Sequence, residues 1–185
     1  TASIAAYTAT GRIEGFSLAV GESSSDAISV FVAQNMGAGD RKRALKGFLT
    51  GLTSLVCLSF FISTLLYITA KPGVALFVGE GQREAVTQGV EYMRYLAFFY
   101  VFSYIGSCYV GFYRGTGRIN VPFIGTTIQI SVRVILSYLL APVMGLKAVS
   151  LATGLGWMAI VTFQTVLFRF IRKKERIEEE AVPVG

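Results

Sequence analysis

The chain has 185 residues, 53% hydrophobic and only 15% charged, with a net charge of +6 and no histidine. Soluble domains carry about a quarter charged residues, so this composition is short of solvent-facing material, as a mean hydropathy of +0.58 also says. Disorder, a disulfide scaffold on 2 Cys and a collagen-like repeat on 20 Gly without period are excluded, and a polytopic membrane protein remains.

The first segment, residues 14–36, is weak in hydropathy because Glu22, Ser23, Ser24, Ser25 and Asp26 sit in its middle. It reads either as a surface helix starting at Ser23, with Asp26 closing a capping box, or as a spanning helix whose acidic turn faces the bundle interior. A second span, residues 45–70, is uncharged from Gly47 onward, and Lys71-Pro72-Gly73 is expected to end it. Residues 84–94 form an amphipathic lead-in whose Arg94 snorkels to headgroups. The third span, residues 92–113, is uncharged from Tyr95 to Tyr113. The fourth, residues 120–142, is interrupted only by Arg133, and the fifth, residues 146–170, is followed by a charged, solvated tail. Each is near the ~20 residues that cross the hydrocarbon. The fold class is therefore all-α, a membrane helix bundle of about five spans. An odd span count and a first residue of Thr point to part of a larger protein.

The basic residues follow the span ends. Arg41, Lys42, Arg43, Lys46, Arg114, Arg118 and the five basic residues from Arg169 to Arg176 fall on one side. Arg12, Lys71, Arg83, Arg94 and Lys147 fall on the other. The richer side is the cytoplasmic one, which places the carboxy terminus inside. Such bursts between apolar runs are not the single basic face of a nucleic-acid module.

Without histidine there is no His-based triad, relay or metal site, and no phosphate-cradling or dinucleotide motif occurs, so neither an enzyme site nor a cofactor is expected. Cys57 and Cys108 lie mid-span without a CxxC partner and read as small core residues. Glu22 and Asp26 are spaced i, i+4 on one helix face. They form an ion-coupling site if they face the bundle, or a solvated helix start if they do not. Thr126, Gln129, Arg133 and Ser137 make one polar stripe in the fourth span. Arg133 needs a partner there: the simplest is Glu22 or Asp26, and the alternative is a structural role in which it pairs with backbone carbonyls and fixes packing. Ser103, Ser107 and Gly111 share a small-residue face, as do Ala148, Ala152 and Gly156. Tyr100, Tyr104 and Trp157 either line a cavity for an aromatic or cationic ligand or take a lipid-interface or core role. Tyr104, Ser107 and Gln129 are the cavity-lining candidates.

Two loop motifs carry a resemblance. Gln34-Asn35-Met36-Gly37-Ala38-Gly39-Asp40-Arg41 resembles the signature after the eighth helix of the multidrug and toxic compound extrusion (MATE) family. Tyr113-Arg114-Gly115-Thr116-Gly117, followed by Pro122, resembles the loop after that family's tenth helix. Ala5 to Glu14 is similar to the end of the seventh helix and its outer loop, and Arg133-Val134 and Gly156-Trp157 stand at family-like positions. Physically, Gln34, Asn35, Gly37 and Gly39, like Arg114, Gly115 and Gly117, read as tight turns. Gln34 and Asn35 are expected to bond the carbonyls freed there.

The resemblance implies that residues 1–185 are most of a carboxy-terminal lobe, with five spans equivalent to helices eight to twelve of a twelve-helix fold. The first segment is then a membrane helix. It implies a secondary antiporter in a bacterial plasma membrane that exports organic cations or drugs in exchange for H+ or Na+. Its partners would be the missing amino-terminal lobe, the lipid bilayer, small organic cations and the coupling ion. A lipid-linked sugar flippase of the related superfamily, with a larger basic cavity, and a non-transporting membrane scaffold, without water-accessible acids, are the alternatives. The resemblance has departures. Gly21 stands where many members have Pro, and residues 95–113 hold no carboxylate to match the acids some members carry on the tenth helix. Glu22, Asp26 and Arg133 therefore stand as candidates read from the residues themselves.

Overall fold

The computed structural model describes residues 2–78 and 82–181, with side chains described as far as residue 174. The described residues form six helices: α1 (Ala2–Gly37), α2 (Arg41–Val78), α3 (Arg83–Ala97), α4 (Tyr100–Gly115), α5 (Asn120–Met144) and α6 (Leu146–Ala181). Three segments are long and apolar enough to cross a membrane: α2, α5 and residues Leu146–Lys174 of α6. The pair α3 and α4, bent by 54° at its break, is long and apolar enough only when the two helices are taken together. Phe60, Phe61, Ile68 and Leu76 on α2, and Phe123, Tyr138 and Val143 on α5, stand exposed on the outside of the bundle. Lipid is the solvent that accepts such a surface. The chain is an all-α integral membrane bundle.

Polar residues keep α1 below the apolarity of the other spans, and close packing holds it in the bundle instead. A Cβ on Gly111 would lie 2.4 Å from the Ser25 carbonyl oxygen, and one on Gly115 would lie 2.6 Å from that of Ser29. Gly21 meets Ser107 in the same way, its Cβ position being 3.1 Å from Ser107 Oγ. Small residues four apart on both helices thus let the two backbones touch. The numbers rise together along the seam, so α1 and α4 run parallel and α2 runs back between them.

α4 is the centre of the bundle, and Tyr100, Tyr104, Cys108, Tyr109, Phe112 and Tyr113 are all buried along it. Phe48 of α2 lies 4.5 Å from the Phe112 ring and 5.4 Å from Phe168 of α6, which ties three helices together. α5 buries only Pro122 and Gly125. It packs on α6 where Gly125 faces Ile160 and Gly156 faces the Gln129 backbone.

Four expectations are corrected. Pro72 does not end the second span, because α2 continues to Val78. The proline removes one backbone bond, but Ala70 and Val74 on either side are buried. Gly73 and Gly89 also admit Ile13 and Val74 at contact distance. The third span is not straight. Its bend at Phe98 and Phe99 contains neither Pro nor Gly. The Ser63 hydroxyl donates to the Ala97 carbonyl beside the break, and Phe99 lies directly over Gly154 of α6. Ala5 to Glu14 belong wholly to α1, not to the end of one helix and a loop. Cys57 is exposed rather than in the core, whereas Cys108 is buried.

Both motif turns close alike. At the first, Asp40 N donates to Asn35 O at 2.9 Å and Gly39 N to Met36 O at 3.1 Å. At the second, Arg118 N donates to Tyr113 O at 2.8 Å and Gly117 N to Arg114 O at 3.0 Å. Gly39 and Gly117 have φ of 76° and 74°. These are Schellman ends, in which glycine takes the left-handed position. The backbone itself therefore satisfies the freed carbonyls. The Asn35 amide bonds Phe31 O, one turn back inside the helix, at 2.7 Å.

Gly111→Ala should therefore lower stability by about 1–3 kcal/mol, the usual range for overpacking. Gly106→Ala, whose Cβ position meets only Val161 and Ile160 at 3.6 Å or more, should be near neutral. Thermal unfolding of the two purified variants in detergent checks the contrast.

Candidate functional site

A cavity of about 440 Å³ opens between α1, α4, α5 and α6. Glu22, Ser25 and Asp26 line it from α1, Ser103, Ser107 and Arg114 from α4, Thr126 and Gln129 from α5, and Trp157 from α6. The α1–α4 seam makes the lining polar, because the small residues that let the helices touch also turn hydroxyls toward the gap beside them. Ser25 is buried, and its hydroxyl has no hydrogen-bond partner among the described residues.

The cavity holds one ion pair, with Arg114 Nη1 3.3 Å from Asp26 Oδ1. Both side chains remain over half exposed, at 52% and 72%, so the pair is worth little to stability and is open to exchange. Glu22 faces the same space one turn earlier on α1. Among the described residues no three Asp, Glu, Cys or His side chains converge, so any cation here meets the Glu22–Asp26 face together with neutral oxygens.

Of the sequence candidates, Glu22, Asp26, Ser107 and Gln129 meet in this cavity. Arg114 joins them as the partner of Asp26, a role beyond the turn it was read into. Tyr104 does not line the cavity. It is buried in the α1–α4 seam, where its hydroxyl donates to the Ser17 carbonyl at 2.9 Å. Trp157 is at the cavity wall, 5.4 Å from the Tyr100 ring.

Arg133 is also elsewhere. Its guanidinium donates to Tyr7 Oη at 3.0 Å and acts on the half-buried carboxyl of Glu14, which also engages Tyr92. Neither Glu22 nor Asp26 is its partner. The reason is direction: α5 runs antiparallel to α1, so one turn beyond Gln129 leads back along α1, away from the acidic turn.

Glu14 is the residue that sequence reading missed. It lies one helical repeat of seven from Tyr7 and eight residues before Glu22, at the boundary between the first segment and a stretch taken for a helix end and a loop. Extending the helical period back to Ala2 would have put it on the bundle face.

If Arg133 and Glu14 form one network, Arg133→Ala should lower the unfolding temperature in detergent. Glu14→Gln should then restore part of that loss in the Arg133→Ala background. A coupling of about 0.5–3 kcal/mol is expected from the double-mutant cycle.

The MatE family model matches residues 1–139. Among solved structures, the chain is similar to one described as the inward-facing conformation of a multidrug resistance MATE family transporter of the MOP superfamily. The TM-score is 0.75 at 22% identity, over 89% of this chain and 37% of that one. This chain thus spans under half the length of that transporter. No curated protein sequence matches. Residues 1–139 carry the family pattern through the cavity-lining residues of α1, α4 and α5, and the chain belongs to the MatE family of membrane transporters.

Proposed function

We propose that this chain forms the carboxy-terminal lobe of a secondary antiporter that exports organic cations in exchange for H+ or Na+. The other lobe, the bilayer and the exchanged ions are its partners. The basic ends at Arg41, Arg118 and Arg172 face the cytoplasm, as the positive-inside rule requires. The observation that carries the reading is the acid-bearing cavity, in which Arg114 occupies Asp26 as a resident cation. An acid-bearing cavity supports cation exchange over a flippase, whose lipid-linked anionic cargo asks for a basic one.

The exchange follows from charge. An organic cation entering beside Trp157, where the aromatic face attracts positive charge, competes with Arg114 for Asp26. A proton or Na+ arriving at Asp26 or Glu22 removes the negative charge and releases that cation. Only one positive charge is held well at a time, and this mutual exclusion is what antiport needs. Ser103, Ser107, Thr126 and Gln129 supply neutral oxygens and amide groups that solvate whichever ion is present.

The test is efflux driven by a proton or sodium gradient in proteoliposomes, using the complete transporter. Asp26→Asn should cut ion-driven efflux of an organic-cation dye by about tenfold or more, the weight of a lost charge-assisted contact. Folded yield should hold, because the side chain is exposed. Arg114→Gln should tighten dye binding by removing the competitor. Full transport by Asp26→Asn would count against the reading.

A further inference from the structure

Gln164 of α6 is fully buried, and neither its Oε1 nor its Nε2 has a hydrogen-bond partner among the described residues. Flipping the amide changes nothing, because both ends are unpaired. A primary amide sealed among apolar side chains is costly to leave in that state. Inside a membrane, the polar groups that persist mark routes for water or ions.

The position of the amide in the bundle is informative. On α6, Gln164 lies four residues past Ile160, which lines the acid-bearing cavity. It lies four residues before Phe168, which lines a second cavity of about 230 Å³ at the Arg118 end of the bundle. Residues four apart share a helix face, so the amide stands between the two cavities. α4 repeats the order: Val110 lines the first cavity, Tyr113 follows, and Thr116 lines the second. Tyr113 is fully buried, and its hydroxyl donates to the Gln164 carbonyl at 2.7 Å. The same oxygen can still accept a bond. From α5, Gly125 passes over the amide with its Cβ position 3.6 Å from Nε2, so that helix sets no side chain against the group.

We propose that Gln164 binds a buried water, shared with the Tyr113 hydroxyl, and that this water is the polar link between the two cavities. A buried water takes about three hydrogen bonds from groups otherwise unpaired. Here it accepts from Nε2 and donates to Oε1 in one closed ring, and its second hydrogen goes to the Tyr113 oxygen. Ile160 and Phe168 would otherwise separate the cavities by apolar contacts alone. With the amide between them, water passes from the acid-bearing cavity to the far end of the lobe through its interior. The proposal rests on the packing of α4, α5 and α6 and not on the antiport reading, and its test reads no transport.

The experiment is X-ray radiolytic footprinting of the complete transporter in detergent, in which radicals formed from bound water oxidise the side chains that touch it. Tyr113 has no exposed surface, so its oxidation reads buried water. It should be oxidised several-fold faster than Phe48, which is equally buried but packed against the rings of Tyr109, Phe112 and Phe168. Gln164→Leu, similar in size but without polar atoms, should bring Tyr113 down to the Phe48 rate. It should leave the unfolding temperature unchanged or lower it. Brief mixing with water carrying heavy oxygen before exposure should put the heavy isotope into oxidised Tyr113, as exchange with the cavities requires. Oxidation of wild-type Tyr113 at the Phe48 rate would overturn the proposal, and that arm needs no variant to fold. So would a clearly more stable Gln164→Leu protein, since only a dry, unpaired amide gains from becoming apolar. Tyr113 oxidation that survives Gln164→Leu would take the water away from the amide and overturn the site. Exclusion of the heavy isotope would show a trapped water and overturn the link.

Discussion

The rest of the structure depends on the contact of the α1 and α4 backbones. Lipid is as apolar as leucine, so helices in a membrane gain little from burying apolar side chains against one another and rely on close van der Waals fit. Here the fit is obtained by omission. Gly111 and Gly115 carry no side chain where α1 presents the Ser25 and Ser29 carbonyls. α1 falls short of the apolarity of the candidate spans and buries mainly small residues, among them Ala6, Ala9, Gly21 and Ser25, so it depends on this seam and on its packing against α2, where Phe31 meets Gly47 and Ile28 meets Gly51.

The same register sets the electrostatics. Ser25 faces Gly111 and Ser29 faces Gly115, so Asp26 and Arg114, each adjacent in sequence to a seam residue, emerge on the same side. A shift of α1 by one residue would rotate it by ~100° and part them. Steric complementarity and the position of the ion pair in the cavity both follow from this register, so a mutation that shifts the register moves the pair as well. Tyr104 reinforces it, its hydroxyl bonding the Ser17 carbonyl further along the same seam.

The spans with long uncharged runs were legible in the sequence because hydropathy is a local property. So was the shared face of Glu22 and Asp26, which needs only the helical period. The partners were not legible. Pairing Arg133 with the acidic turn required the relative depth of α1 and α5, and that depth is fixed by the α1–α4 register and the α5–α6 contact. Arg114 was read as part of a turn because it precedes Gly115 and Gly117, and its reach back to Asp26 depends on the parallel course of two helices far apart in sequence. The bend at Phe98 and Phe99 left no Pro or Gly to signal it. It is written instead in Ser63 and Gly154, residues of other helices that accommodate it. The Gly111–Gly115 spacing was present in the sequence. Only Gly111 was read as part of a small-residue face, and Gly115 was assigned to the loop.

α5 meets the bundle almost wholly through α6, to which the single residue Gly145 joins it, with φ of 59°. It nonetheless supplies one wall of the acid-bearing cavity through Thr126 and Gln129. That wall is positioned by α6, along the seam where Gly125 meets Ile160 and Gly156 meets the Gln129 backbone, and by the Arg133–Tyr7 hydrogen bond to α1. A side chain added at Gly125 or Gly156 would therefore reshape the cavity from behind, without touching either member of the Asp26–Arg114 pair.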